Sequence, residues 1–195
     1  ELIKHAKMPN DIASEIESEF QILDSEFVAV RSSATAEDGA DHAWAGQLDS
    51  FLNTTKDTLL EKVQHCWASL FTPRAISYRF EKGLHTTKIS VAVVVQKMIN
   101  SEKSGIAFSV HPITEDRNQI IIEAGFGLGE AIVSGSVTPD SYVIEKDTEM
   151  ILDVNVNNQK QALYRAQGGG NIWKDLTDSE GQKQVLNGKE ILSLS

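Results

Sequence analysis

Apolar residues recur every three or four positions in two stretches of the first half of the chain, whereas the second half alternates or runs apolar without a break. Ile12, Ile16 and Phe20 follow Asn10 and Asp11, either of which can cap a helix. The clearest helical stripe is Leu59, Leu60, Val63, Cys66, Trp67, Leu70 and Phe71. It opens on Thr54 and Asp57 as an approximate capping box, stops at Pro73, and assigns Trp67 and Phe71 to the core. Between these helices, 27–31 and 47–52 read as strands. From Ile89 the period changes. The run 89–99 is too β-branched to prefer a helix, and its central valines are apolar enough for a strand buried on both faces. Further strands are expected at 105–110, 119–124, 142–145, 151–156 and 161–164. Their connections are too short for βαβ crossovers, so the second half is expected to be largely antiparallel, with one helix starting near Gly129. After Gln167-Gly168-Gly169-Gly170 the chain turns polar, and 178–194 reads as a terminal helix interrupted by Gly188. The glycine triplet itself suits a flexible connection or a phosphate loop. The class is α+β, divided into a helix-containing region 1–85, a β-rich lobe 86–170 and a terminal segment 171–195.

Composition narrows the function classes. Across 195 residues, 28 acidic and 18 basic side chains give a formal charge of −10, which disfavours a nucleic-acid surface but leaves room for a local anion site. No apolar run approaches the roughly 18 residues of a membrane span, and no basic-then-apolar leader opens the chain. Cys66 is the single cysteine, so there is no internal disulfide and no multi-cysteine metal site; cytoplasmic residence is the expectation. On the apolar face of its helix, Cys66 reads as a small hydrophobe. The five histidines form no zinc spacing, and His111 beside Pro112 shows nothing that marks a phosphoryl acceptor.

Two segments carry candidate chemistry. Val30-Arg31-Ser32-Ser33-Ala34-Thr35-Ala36-Glu37-Asp38-Gly39, closed by Trp44-Ala45-Gly46-Gln47, sets a guanidinium, hydroxyls and small residues directly after an apolar strand. A planar donor fork with convergent O–H and N–H groups suits phosphate oxygens. The plainer reading is a polar surface turn, since the G-K-[ST] of a Walker A loop is absent. The second segment is Glu123-Ala124-Gly125-Phe126-Gly127-Leu128-Gly129-Glu130-Ala131-Ile132-Val133-Ser134-Gly135. Alternate glycines permit close backbone approach and N–H groups aimed at an anion. Glu130 stands where G-x-G-x-x-G would need glycine, so nicotinamide binding is disfavoured. Its carboxylate suits a magnesium ion carrying nucleotide phosphates, or simply the first turn of a helix.

The blocks VRSSATAEDGADHAWAGQLDSFLN at 30–53, CWASLFTPRAISYR at 66–79, VVVQKMI at 93–99, SGIAFSVHP at 104–112 and GFGLGEAIVSGSVTPDSYVI at 125–144 occur in that order. Together they resemble the ATP-binding domain of the phosphoenolpyruvate synthase and pyruvate phosphate dikinase family. The resemblance covers roughly 20–165 and implies a partial ATP-grasp-type nucleotide-binding domain using ATP and magnesium. It implies an enzyme in which the β-phosphoryl of ATP passes to a histidine on a separate swivelling domain, so that this domain and a substrate domain of the same protein are the partners. On matching positions, Arg31 would hold the phosphates and stabilise developing charge, with Ser32, Ser33 and Thr35 oriented around them. Arg74 would be a second phosphate contact. Gln96, Lys97, Met98 and Ile99 would lie along the adenine. Gly127 and Gly129 would shape the surface beside Glu130, the expected magnesium ligand. The family's early glycine-lysine segment and late Glu/Gln motif have no match, so the chain is expected to be truncated at both ends and inactive alone. The leading expectation for the parent is phosphoenolpyruvate synthase, making phosphoenolpyruvate, AMP and phosphate from pyruvate, ATP and water. A rifamycin-type antibiotic phosphotransferase and a noncatalytic nucleotide or interdomain module are the alternatives.

Overall fold

Seven residues of alternating side-chain direction, Val28–Ala34 (β1), organise the first half of the molecule. The computed structural model describes residues 1–35, 44 and 46–195, so positions 36–43 and 45 of the first candidate segment lie outside the described residues. The chain folds into two compact units, 1–99 with 167–170, and 100–166 with 171–195.

The first unit runs Leu2–His5 (α1), Asn10–Leu23 (α2), β1, Ser50–Thr54 (β2), Lys56–Ser69 (α3), Pro73–Glu81 (α4) and Val91–Lys97 (β3). Its antiparallel sheet has the order β2-β1-β3. Val28 and Val30 point inward onto Leu59, Val63 and Cys66 of α3 and Phe20 of α2, with Val93 and Val95 beside them. This alternation corrects the expectation of a valine strand buried on both faces. β3 is an edge strand, and Val94 between those inward valines is 46% exposed. Burial pushes the Cys66 thiol up to about 12, as befits an inert core residue.

The long helical stripe is α3, and a second helix that the sequence reading did not assign, α4, follows it. The cap of α3 is Thr55, whose N–H donates to Thr58 Oγ1 at 3.3 Å, one residue after the expected box. α3 then ends at Ser69, and Thr72 caps α4 by accepting from Ala75 N–H, with Pro73 in the first turn where a missing N–H costs nothing. Phe71 therefore belongs to the connection. It is 57% exposed, against the core position its spacing suggested.

The second unit runs Lys103–Phe108 (β4), Gln119–Phe126 (β5), Glu130–Val133 (α5), Asp140–Glu145 (β6), Met150–Asn155 (β7), Gln161–Arg165 (β8), Asn171–Asp175 (β9), Asp178–Gly181 (α6) and Gly188–Ser193 (α7). The order β4-β5-β6-β7 and the hairpin β8-β9 are antiparallel in every strand pair, as the short connections required. Ile122, Ala124, Tyr142 and Ile144 pack against Val185, Leu186 and Ile191 of the C-terminal segment. The glycine triplet turns β8 into β9, a strand the sequence reading missed, and Gly169 and Gly170 take the positive φ that the turn needs. The single terminal helix is replaced by two short ones, each with its own capping box: Thr177 with Glu180, and Asn187 with Glu190. Among the described residues no helix is long and apolar enough to cross a membrane.

Candidate functional site

Arg31, Ser32 and Ser33 lie within β1, not in a turn beyond it, because β3 pairs with the strand as far as Ala34. Strand alternation then sorts them. Arg31 and Ser33 face away from the core, opposite Val94 and Ala92 of β3, and Ala29 on the same face stands opposite Gln96. On the other side of β1, Ser50 is the residue across from Arg31, a neighbour the sequence reading did not select. Among the described residues the exposed Arg31 guanidinium has no hydrogen-bond or ion-pair partner. Where Arg31, Val94 and Gln96 are exposed, this face of the sheet presents an uncommitted fork of donors beside the hydroxyls of Ser33 and Ser50, while Ala29 on the same face is buried.

Ser32 does not join that face. It points inward, and its Oγ–H donates to the Asp49 carbonyl at 2.8 Å, where its own N–H also donates. Thr35 closes the strand: its N–H donates to Ser90 O, and its Oγ1 accepts from Ser90 N–H at 3.2 Å. Arg74, at the start of α4, spends its guanidinium on the segment before β2. Nε donates to Gln47 O at 3.2 Å, and Nη2 reaches Asp49 Oδ1 at 3.1 Å.

Gln96 and Lys97 end the edge strand, with Met98 and the exposed Ile99 following. Met98 N–H donates to Phe27 O at 3.0 Å, just as Thr35 N–H bonds Ser90 at the other end of the ladder. In an antiparallel ladder alternate peptides face the partner, so the main-chain groups of Lys97 and Val95 are turned to the open edge. That edge can meet the donor-acceptor rim of a planar heterocycle, as an added strand would.

Gly127, Gly129 and Glu130 belong to the second unit. Three successive N–H groups of the glycine run, those of Phe126, Gly127 and Leu128, are engaged within the protein. Phe126 N–H donates to Gln159 Oε1, Gly127 N–H to Glu102 O, and Leu128 N–H to Leu163 O. The Gly127 carbonyl accepts from Ser101 Oγ at 3.1 Å and Ser104 Oγ at 2.6 Å. Gly127 sits at φ +77°, and an added Cβ would lie 2.2 Å from Leu163 O. Its glycine is a backbone requirement, so Gly127→Ala is expected to lower stability by about 2 kcal/mol in chemical denaturation. Gly129 takes the N-cap position of α5, and Glu130 is exposed in its first turn. Among the described residues the Glu130 carboxylate has no hydrogen-bond partner, and no group of three or more metal-ligating side chains occurs. A lone carboxylate fits magnesium that arrives with phosphates, since that ion keeps waters and takes one or two protein oxygens. Of the two ring nitrogens of His111, Nδ1 accepts from Ile113 and Thr114 N–H.

Comparison with known proteins bears directly on this arrangement. The family model described as "Pyruvate phosphate dikinase, AMP/ATP-binding domain" matches residues 1–195. The probable phosphoenolpyruvate synthase of Pyrococcus horikoshii is 42% identical over 208 aligned residues, which take in 100% of this chain and 25% of that protein. The probable phosphoenolpyruvate synthase of Archaeoglobus fulgidus is 50% identical over 169 residues, 86% of this chain and 22% of that protein. The rifampicin phosphotransferase of Bacillus cereus is 39% identical over 197 residues, 100% of this chain and 22% of that protein. The chain spans about a quarter of the length of the curated relatives it matches.

Proposed function

Because the chain belongs to the pyruvate phosphate dikinase AMP/ATP-binding domain family, we propose that it is the ATP- and magnesium-binding portion of a dikinase-type phosphotransferase with an ATP-grasp fold. The parent reaction we assign is that of phosphoenolpyruvate synthase: pyruvate, ATP and water give phosphoenolpyruvate, AMP and phosphate. A histidine on another domain of the same protein takes the β-phosphoryl group. The observation that carries the reading is Arg31, an exposed and uncommitted guanidinium on a sheet face it shares with Ser33 and Gln96.

Each residue has a role in that reading. Arg31 binds phosphate oxygens and stabilises the charge that develops on them, where fixed electrostatics supplies most of the catalysis. Ser33 and Thr35 add hydroxyls. Ser32 acts from the inner face, by holding Asp49. The open edge at Gln96, Lys97, Met98 and Ile99 recognises the adenine rim, with Met98 and Val94 as apolar contacts. Glu130 provides an oxygen ligand for magnesium, while Gly127 and Gly129 fix the backbone that carries it. Magnesium, when bound, neutralises phosphate charge. A second reading, delivery of the phosphoryl group to a rifamycin hydroxyl, draws support from the Bacillus cereus relative's similarity over the whole chain; it uses the same nucleotide step.

The test is calorimetric titration of the 195-residue chain with AMP-PNP, with and without magnesium. Saturable, magnesium-dependent binding with preference over AMP is the expected result. A folded sample without that preference overturns the reading in favour of a noncatalytic module.

A further inference from the structure

We infer that Arg74 is a positioning residue, which holds the segment before β2 so that Ser50 stays opposite Arg31. The inference rests on the nucleotide reading of the Arg31 face and changes the role of Arg74 in it. The segment 47–49 is gripped from three elements. From α4, Arg74 donates to Gln47 O and to the Asp49 carboxylate. From β1, Ser32 donates both its N–H and its Oγ–H to the Asp49 carbonyl. From α3, the Cys66 thiol faces that carbonyl at 3.6 Å and Val30 O at 3.7 Å. The next residue, Ser50, is the cross-strand neighbour of Arg31.

The geometry separates this role from a phosphate contact. A guanidinium whose Nε and Nη2 already bond a carbonyl and a carboxylate has its side-on fork engaged, which leaves only its Nη1 end for another acceptor. The Asp49 carboxylate also stands one residue from Ser50. Left unpaired it would repel a polyanion on the Arg31 face, so Arg74 contributes both placement and neutralisation. The pair is partly exposed, with side-chain accessibilities of 54% and 35%, which bounds its worth to that of a well-placed surface ion pair.

The experiment is a double-mutant cycle on the 195-residue chain, titrated with magnesium and AMP-PNP, beside amide hydrogen exchange at Ser32 without nucleotide. Arg74→Ala and Asp49→Ala are each expected to weaken binding about fivefold, and the double variant no more than about twofold beyond either single one. Exchange at the Ser32 amide, which is bonded to Asp49 O, is expected to accelerate in both single variants and to stay unchanged in Arg31→Ala. Additive losses, with Arg74→Ala weakening AMP-PNP equally whether or not Asp49 is present, would mean a direct phosphate contact and overturn the inference. Unchanged Ser32 exchange in Arg74→Ala overturns it as well. If the unaltered chain takes up no AMP-PNP, the nucleotide reading fails, and the exchange result alone decides whether Arg74 holds this segment.

Discussion

Replacing Asp140 with alanine is expected to destabilise the second unit by about 3–5 kcal/mol, because it orphans several buried donors at once. Asp140 is fully buried at the start of β6. Its Oδ2 accepts from Tyr142 OH at 3.0 Å and Val185 N–H at 2.8 Å, and its Oδ1 accepts from Asn157 N–H at 2.9 Å. Tyr142 OH in turn accepts from Leu186 N–H at 3.1 Å. Two apolar residues of the C-terminal segment, Val185 and Leu186, are thereby tied to the sheet through their backbone while their side chains fill its core. Burial pushes the Tyr142 phenol up to about 12, so it remains a donor at every pH at which the protein is handled. Tyr142→Phe removes one link of the network and is expected to cost about 1–2 kcal/mol. Amide exchange at Val185 and chemical denaturation followed by circular dichroism measure both changes. A loss below about 0.5 kcal/mol for Asp140→Ala would show that the segment is held by its apolar side chains alone.

That network also shows where the sequence was legible and where it was not. The apolar runs Ile120-Ile121-Ile122 and Tyr142-Val143-Ile144, bounded by polar turns, marked β5 and β6 within two residues. The aspartate that joins them to the chain's end lies 45 residues from Val185 and leaves no local trace. The breaks in the helices are the opposite case. Thr177-x-x-Glu180 and Asn187-x-x-Glu190 are written in the sequence as separate starts, and a glycine between apolar positions was read as an interruption although Gly188 opens α7. Likewise Thr72-Pro73 is a cap followed by a first-turn proline, so it begins α4 as plainly as it ends α3. At the candidate site, residue types pointed to Arg31, Ser32 and Ser33 as one group. Alternation in a strand, which period two in Val28-Ala29-Val30 already implied, sends Ser32 to the core side and leaves Arg31 and Ser33 together. The partners of Arg74 depend on a loop meeting a helix 25 residues away, a contact no spacing rule supplies.

Arg31→Ala is expected to separate binding from stability more sharply than any other single change in the chain. Its side chain is exposed and, among the described residues, unpaired, so its removal leaves no buried group unsatisfied and is expected to shift unfolding by less than about 0.5 kcal/mol. Affinity for magnesium AMP-PNP is expected to fall roughly 10- to 100-fold, the worth of about 1.5–3 kcal/mol for charge-assisted hydrogen bonds to phosphate. Arg31→Lys keeps the charge but not the planar fork and is expected to fall between the two. AMP supplies the internal control. If Arg31 holds the outer phosphates, AMP binding changes little and the preference for the triphosphate collapses; equal losses for AMP and AMP-PNP would place Arg31 near the nucleoside instead. Unchanged affinity for both would mean that the outward face of β1 is not the nucleotide surface.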